Sequence, residues 1–278
     1  MRVVTFADHS RTVTVPGKGL GPRTLVTLIR YPAQEPASRV DVPGAAPVRG
    51  LRFPLVVFGH GFEVTPAIYS ALLQAWARAG FVVAAPIFPL ENANAPGGPD
   101  ESDLVNQPGD MSFIITRLLA LSRAATGFFS GLIDPREIAV SGHSDGGDTA
   151  LSVSYNLHYV DRRVRAAVIL SGAGIPGVGG YNFRIPASPL LATQGTVDTI
   201  NPPSFTSAFF DVAPRPKYLL TLLGSDHIGP YTAQPQLRIV ERVTIAFLDL
   251  YLKGMAAARA RMFSAGNVTG VSTVQGSG

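Results

Sequence analysis

Residues 137–148 read Glu137-Ile-Ala-Val-Ser-Gly-His-Ser-Asp-Gly-Gly-Asp148, an apolar strand-length run passing through Gly142-His143-Ser144-Asp145-Gly146 into a helix-forming stretch. The pattern is G-x-S-x-G between a strand and a helix, the context in which a serine is held on a sharp turn above a sheet edge. Small residues flank the serine because bulk there would clash as the backbone reverses. The N–H that follows, at the start of a helix, points toward developing negative charge. These features make Ser144 a candidate nucleophile.

Outward from this stretch, apolar runs of strand length alternate with runs of helix length from residue 54 onward, the signature of a mostly parallel sheet with helices on both faces. The strands expected are Leu55–Phe58, Phe81–Ala85, Ile138–Ser141, Ala166–Ser171, Pro189–Gln194 and Tyr218–Leu223. The helices expected are Pro66–Ala79, Met111–Ala124, Gly146–Tyr155, Pro203–Phe210 and Gln236–Lys253, the first opened by Thr65 as N-cap and Pro66 at N1. Upstream, the β-branched runs Arg11–Val15 and Thr24–Tyr31 read as antiparallel edge strands. No linker divides the chain, so residues 1–266 are expected to form one domain, followed by a small, polar, frayed tail, Asn267–Gly278. Two long Gly/Pro-rich connections, Ile87–Asp110 and Ala173–Pro186, are of the kind that carries function on a compact domain.

Composition narrows the field. Of 278 residues, 46% are hydrophobic and 15% charged, which excludes a disordered chain. The absence of cysteine excludes a disulfide scaffold and a thiolate nucleophile or metal site. The net charge of +4 is spread out, its densest basic stretch being only Arg162, Arg163 and Arg165, so no nucleic-acid partner is expected. No apolar run approaches the ~20 residues of a membrane span. The chain is therefore expected to be soluble, either cytoplasmic or secreted with a signal peptide already removed, and monomeric. No metal-ligand spacing, G-x-G-x-x-G after an early strand or P-loop is present, and no cofactor is implied.

A serine hydroxyl needs a histidine base and a carboxylate to orient that base. Of His9, His60, His143, His158 and His227, only His227 follows a late strand in a loop, Gly224-Ser-Asp-His-Ile-Gly229, that can lean over the sheet edge. In this architecture the acid lies between serine and histidine in the chain. Asp198, in Gly195-Thr-Val-Asp-Thr199, satisfies that order; Asp226, adjacent to His227, and Asp211, at a helix end, compete less well. The segment Phe58-Gly-His-Gly-Phe62 follows the first core strand, and its glycines allow close backbone approach. The oxyanion donors expected are the N–H groups of Phe62 and Asp145. Phe62, Gly61 and His143 are expected to contact substrate, Phe62 as a wall of the acyl pocket; His60 is expected to hold its own loop, and Trp76 to pack in the core.

From about residue 24 to 253 the chain resembles the α/β-hydrolase superfamily and, within it, the dienelactone hydrolase, chlorophyllase and bacterial cutinase-like (polyester hydrolase) group. The likeness rests on Gly59-His-Gly-Phe62, Gly80-Phe-Val-Val83, Gly142-His-Ser-Asp-Gly-Gly147, Gly195-Thr-Val-Asp198 and Ser225-Asp-His227. It implies a core sheet of about eight strands, Ser144, Asp198 and His227 as a catalytic triad, and carboxylesterase, lipase or cutinase-like hydrolysis of esters. No long helical insertion lies between Ala166–Ser171 and Pro189–Gln194, so no large cap domain is expected and the cleft should be open to short or medium acyl esters or to polymeric ones. Where cutinase-like enzymes usually have Met after the nucleophile and chlorophyllases Arg, this chain has Asp145. The C-terminal disulfide common in polyester hydrolases is impossible here. The same triad would serve an acyltransferase or amidase, and a non-catalytic binding module on this fold is the remaining alternative.

Overall fold

In the computed structural model, which describes residues 1–34, 38, 40–184 and 188–278, the N-terminal β-branched runs extend into a long antiparallel pair, β1 (Arg2–Val15) and β2 (Gly19–Arg30). The core runs follow as β3 (Phe53–Gly59), α1 (Ser70–Arg78) after a 3-10 turn at Pro66–Tyr69, β4 (Val82–Ile87), α2 (Gln107–Arg123), β5 (Ile133–His143), α3 (Asp145–Tyr155) and β6 (Ala166–Leu170). The last part contains β7 (Leu190–Gly195), α4 (Pro203–Phe210), β8 (Lys217–Leu222), α5 (Gly229–Thr232), α6 (Gln236–Leu252), α7 (Ala258–Gly266) and β9 (Ser272–Ser277). Thr65 caps the 3-10 turn and Pro66 opens it, as the sequence predicts.

These strands pair in the order β1-β2-β4-β3-β5-β6-β7-β8-β9. The pairs from β4 to β8 are parallel and the flanking pairs antiparallel. The architecture is thus the expected mostly parallel α/β sheet, with nine strands among the described residues instead of about eight. The additional strand comes from the tail expected to fray: Ser272–Ser277 pairs with all of β8, from Leu222 opposite Ser272 to Lys217 opposite Ser277. Helix α7, which precedes it, has no counterpart in the sequence reading because its apolar positions are too few to mark a face.

Alternation along β3 shows how the sheet divides the core. Leu55 and Val57 face one cluster, with Met111, Ile114 and Leu118 of α2 and Leu151 of α3. Val56 and Phe58 face the other, with Leu72, Leu73 and Trp76 of α1 and Val240, Val243 and Phe247 of α6. Trp76 is core, as expected, and its indole N–H donates to Thr244 Oγ1 at 2.8 Å. Between β6 and β7 no helix occurs among the described residues, so that connection holds no helical insertion there. Of the expected loop Ala173–Pro186, Ile185 and Pro186 lie outside the described residues.

The other long connection, Ile87–Asp110, is not free loop throughout: a 3-10 stretch at Glu101–Asn106 runs into α2 at Gln107. It is fastened by Arg23 of β2, which is 1% exposed. Arg23 Nη1 and Nη2 donate to Asp103 at 2.8 and 2.6 Å, and its Nε and Nη2 donate to Asp110 at 2.6 and 2.7 Å. Arg11 adds a second guanidinium to Asp110 at 2.8 Å. Buried carboxylates are tolerable only while so paired. Arg23→Met is therefore expected to lower the unfolding free energy by about 3–5 kcal/mol, read as a shift of the urea midpoint.

Candidate active site

The turn between β5 and α3 is fixed by glycines. A Cβ on Gly142 would lie 2.0 Å from the Gly146 carbonyl oxygen, and one on Gly146 would lie 2.1 Å from that of Gly59. Only bare backbone lets β3, β5 and the start of α3 meet so closely. Ser144 occupies the reversal at φ 55° and ψ −126°, a conformation disfavoured for a residue with a side chain. It is held there by its own N–H donating to Leu170 O at 3.0 Å and its carbonyl accepting Asp148 N–H at 2.9 Å.

The three residues chosen from the sequence meet above the C-terminal ends of the strands. Ser144 Oγ lies 2.9 Å from His227 Nε2, and His227 Nδ1 lies 2.8 Å from Asp198 Oδ2. Because a carboxylate only accepts, Nδ1 carries the proton and Nε2 is free to accept from the serine hydroxyl. Asp198 is oriented in turn: Oδ1 accepts the N–H groups of Ile200 and Asn201 at 3.0 and 2.9 Å, and Oδ2 accepts Gln194 Nε2 at 3.3 Å. The competing Asp226 points elsewhere, its Oδ1 capping Gly229 N–H at 2.7 Å, and Asp211 is exposed at the end of α4.

The loop after β3 passes directly over the serine. A Cβ on Gly61 would lie 3.1 Å from Ser144 Cβ, so this glycine lies against the serine. Phe62 is half-buried and belongs to neither core cluster. No acceptor among the described residues takes its N–H, and the N–H of Asp145, first in α3, is an unclaimed donor at a helix start. His60 holds the loop, as the sequence suggested: Nδ1 donates to Gly61 O at 2.8 Å and Nε2 accepts Phe88 N–H at 3.0 Å. Burial lowers its pKa to about 4, so the ring is neutral.

His143 corrects an expectation. It does not line the cleft; the ring is 1% exposed and both nitrogens are taken by protein groups. Nε2 donates to the backbone carbonyl of His227 at 2.7 Å, which leaves Nδ1 to accept the Tyr69 hydroxyl at 2.7 Å. Burial, with the neighbouring His227 adding to it, lowers its pKa to about 3. His143 is thus a neutral strut beneath the loop of His227.

Acidic groups gather around the start of α3. Burial, followed by the charge of Glu101, pushes Asp145 up to about 6. Burial pushes Asp148 up to about 7, although it accepts Ala173 N–H at 2.5 Å. Glu91, fully buried, is pushed up to about 9 by burial and then by the charge of Asp145. Sequence reasoning noted Asp145 as a departure from related families but missed Glu91, which nothing in the local pattern marks. Among the described residues, no group of three or more His, Asp or Glu has the arrangement to hold a metal ion, and no helix is long and apolar enough to cross a membrane.

Residues 32–201, more than half of the chain, match the family model described as Chlorophyllase. That span takes in the glycine loop, the serine turn and Asp198. No curated protein matches the chain. Among solved structures the chain is similar to a ferulic acid esterase from Streptomyces cinnamoneus, at 23% identity and a TM-score of 0.67, over 91% of this chain and 89% of that one. At that identity the likeness speaks for the fold alone. On its family match the chain belongs to the chlorophyllase family, and it is a carboxylic-ester hydrolase of the α/β-hydrolase superfamily.

Proposed function

We propose that the protein hydrolyses carboxylic esters through an acyl-enzyme on Ser144, with His227 as general base and acid and Asp198 as its orienting carboxylate. The observation that carries this reading is the unbroken run Ser144 Oγ to His227 to Asp198, at 2.9 and 2.8 Å. The serine oxygen attacks the ester carbonyl as its proton passes to His227 Nε2. Asp198 stabilises the imidazolium, and the N–H groups of Phe62 and Asp145 accept the charge that develops on the carbonyl oxygen. His227 then returns the proton to the departing alkoxide oxygen. Water, activated by the same nitrogen, releases the acid and frees the serine.

The substrate class we propose is supported by exposed apolar residues close in sequence to the triad and the glycine loop. Val197 and Ile200 flank Asp198, Ile228 follows His227, and Ile68 lies in the 3-10 turn beyond the glycine loop. These four side chains are between 39% and 63% exposed. Exposed apolar residues there, with no helical insertion between β6 and β7 among the described residues, suit short to medium acyl esters, or a polymeric ester lying across the surface, better than a chain enclosed in a tunnel. Buried methylenes gain about 0.8 kcal/mol each only while the groove covers them.

Ser144→Ala is expected to lower turnover of p-nitrophenyl butyrate by several orders of magnitude, and Asp198→Asn by about 10⁴, while both remain folded by circular dichroism. A fluorophosphonate probe should label Ser144 in the parent and leave Ser144→Ala unlabelled. Near-parental turnover in folded Ser144→Ala would overturn the assignment. Across an acyl series from acetate to palmitate below micellar concentrations, kcat/KM should rise over the first carbons and then level or fall; a steady climb to palmitate would argue for a deep or lidded groove.

A further inference from the structure

Three fully buried polar side chains, used in none of the steps above, join the two segments that carry the oxyanion donors. Glu91 lies in the connection after β4. Its backbone carbonyl accepts the N–H of Glu63, the residue after Phe62, at 2.9 Å. Its carboxyl accepts Gln107 Nε2, at the first position of α2. Gln107 Oε1 in turn accepts the hydroxyl of Thr149 at 2.8 Å. Thr149 belongs to α3, the helix that Asp145 begins. The chain therefore runs from beside one N–H donor, through α2, to the helix that presents the other. None of its members has exposed surface, so none can touch substrate.

Burying a glutamate, a glutamine and a threonine together is costly, and the hydrogen-bond network that offsets much of that cost ties down what it joins. What it joins here is the loop of Phe62 and the helix of Asp145, whose two N–H groups must converge on one oxygen to within a few tenths of an ångström. We propose that Glu91, Gln107 and Thr149 are positioning residues that set the separation of the Phe62 and Asp145 N–H donors. The proposal rests on the triad and oxyanion reading above.

The chain also carries a titratable link. Glu91 Oε1 has no hydrogen-bond partner, and the charged groups that face Glu91 are acidic: Asp145 from α3, and Asp103 and Glu101 from the 3-10 stretch before α2. Burial and these charges push Glu91 up to about 9, with only the Gln107 amide opposing. Below that pH the side chain is neutral. Above it, an uncompensated negative charge forms behind the oxyanion donors and opposes the charge they stabilise, so kcat falls.

The test measures kcat and KM on p-nitrophenyl butyrate between neutral pH and about pH 10 for the parent, Gln107→Leu, Thr149→Val and Glu91→Gln. Gln107→Leu and Thr149→Val are expected to lower kcat by about tenfold to a hundredfold with KM changed by less than about threefold. Glu91→Gln, which keeps a neutral side chain of the same shape, should retain neutral-pH kcat within about threefold but lose the alkaline fall. Thr149→Val preserves side-chain shape and carries the test if Gln107→Leu does not fold. Parental kcat in folded Thr149→Val, or an alkaline fall that persists in Glu91→Gln, overturns the proposal. Fluorophosphonate labelling of parental Ser144 separates the two readings: with labelling intact, such results sink the positioning role alone, whereas a parent that resists labelling sinks both.

Discussion

The contact on which this molecule depends is made by backbone alone, where the start of α3 presses between the ends of β3 and β5. Gly146 stands against the carbonyl of Gly59, and Gly142 against that of Gly146, at separations that leave no room for a methyl group. This contact brings the strand bearing the glycine loop next to the strand bearing the serine, and it fixes the first turn of α3 relative to both. The strand order, with β3 and β5 adjacent despite the chain between them, is the topological condition for it. The unfavourable backbone of Ser144 is tolerated because the bonds to Leu170 and Asp148 over-determine it.

Around that contact, chemically identical side chains take different parts according to their surroundings. Asp198 and Asp145 are both nearly inaccessible, yet Asp198 accepts four hydrogen bonds, one from His227, whereas Asp145 leaves Oδ2 without a partner. The first is met by donors on both oxygens; the second is pushed by burial toward its neutral form. The histidines divide in the same way. His60 and His143 are enclosed and neutral, each bracing a loop through both ring nitrogens. His227 alone has one nitrogen on a carboxylate and the other on a hydroxyl.

Much of this could be read from the residues in order. Strand and helix runs follow from local periodicity, and Ser144, Asp198 and His227 follow from what the chemistry needs together with where a parallel sheet sends its loops. The misreadings share a physical origin in contacts that no local pattern encodes. His143 sits inside the motif, but closeness in sequence does not fix direction, and its ring is turned inward toward Tyr69. Glu91, Gln107 and Thr149 meet only after three separate segments have packed. Arg23 interrupts a strand pattern with a charge whose partners lie 80 and 87 residues away. The polar run at the C-terminus becomes strand because β8 offers a free edge, not because its own residues favour one.

That last strand determines how the molecule can be held. β8 runs toward the edge where His227 and Ser144 stand, and β9 runs back beside it, so Ser277 lies opposite Lys217 at the far edge. Anything joined after Gly278 emerges on the face away from the cleft. Tethered to a solid support through that point, the protein would present the edge that bears Ser144 and His227 outward. At position 276 the strand lies so close to β8 that a Cβ there would come within 2.2 Å of Lys217 O.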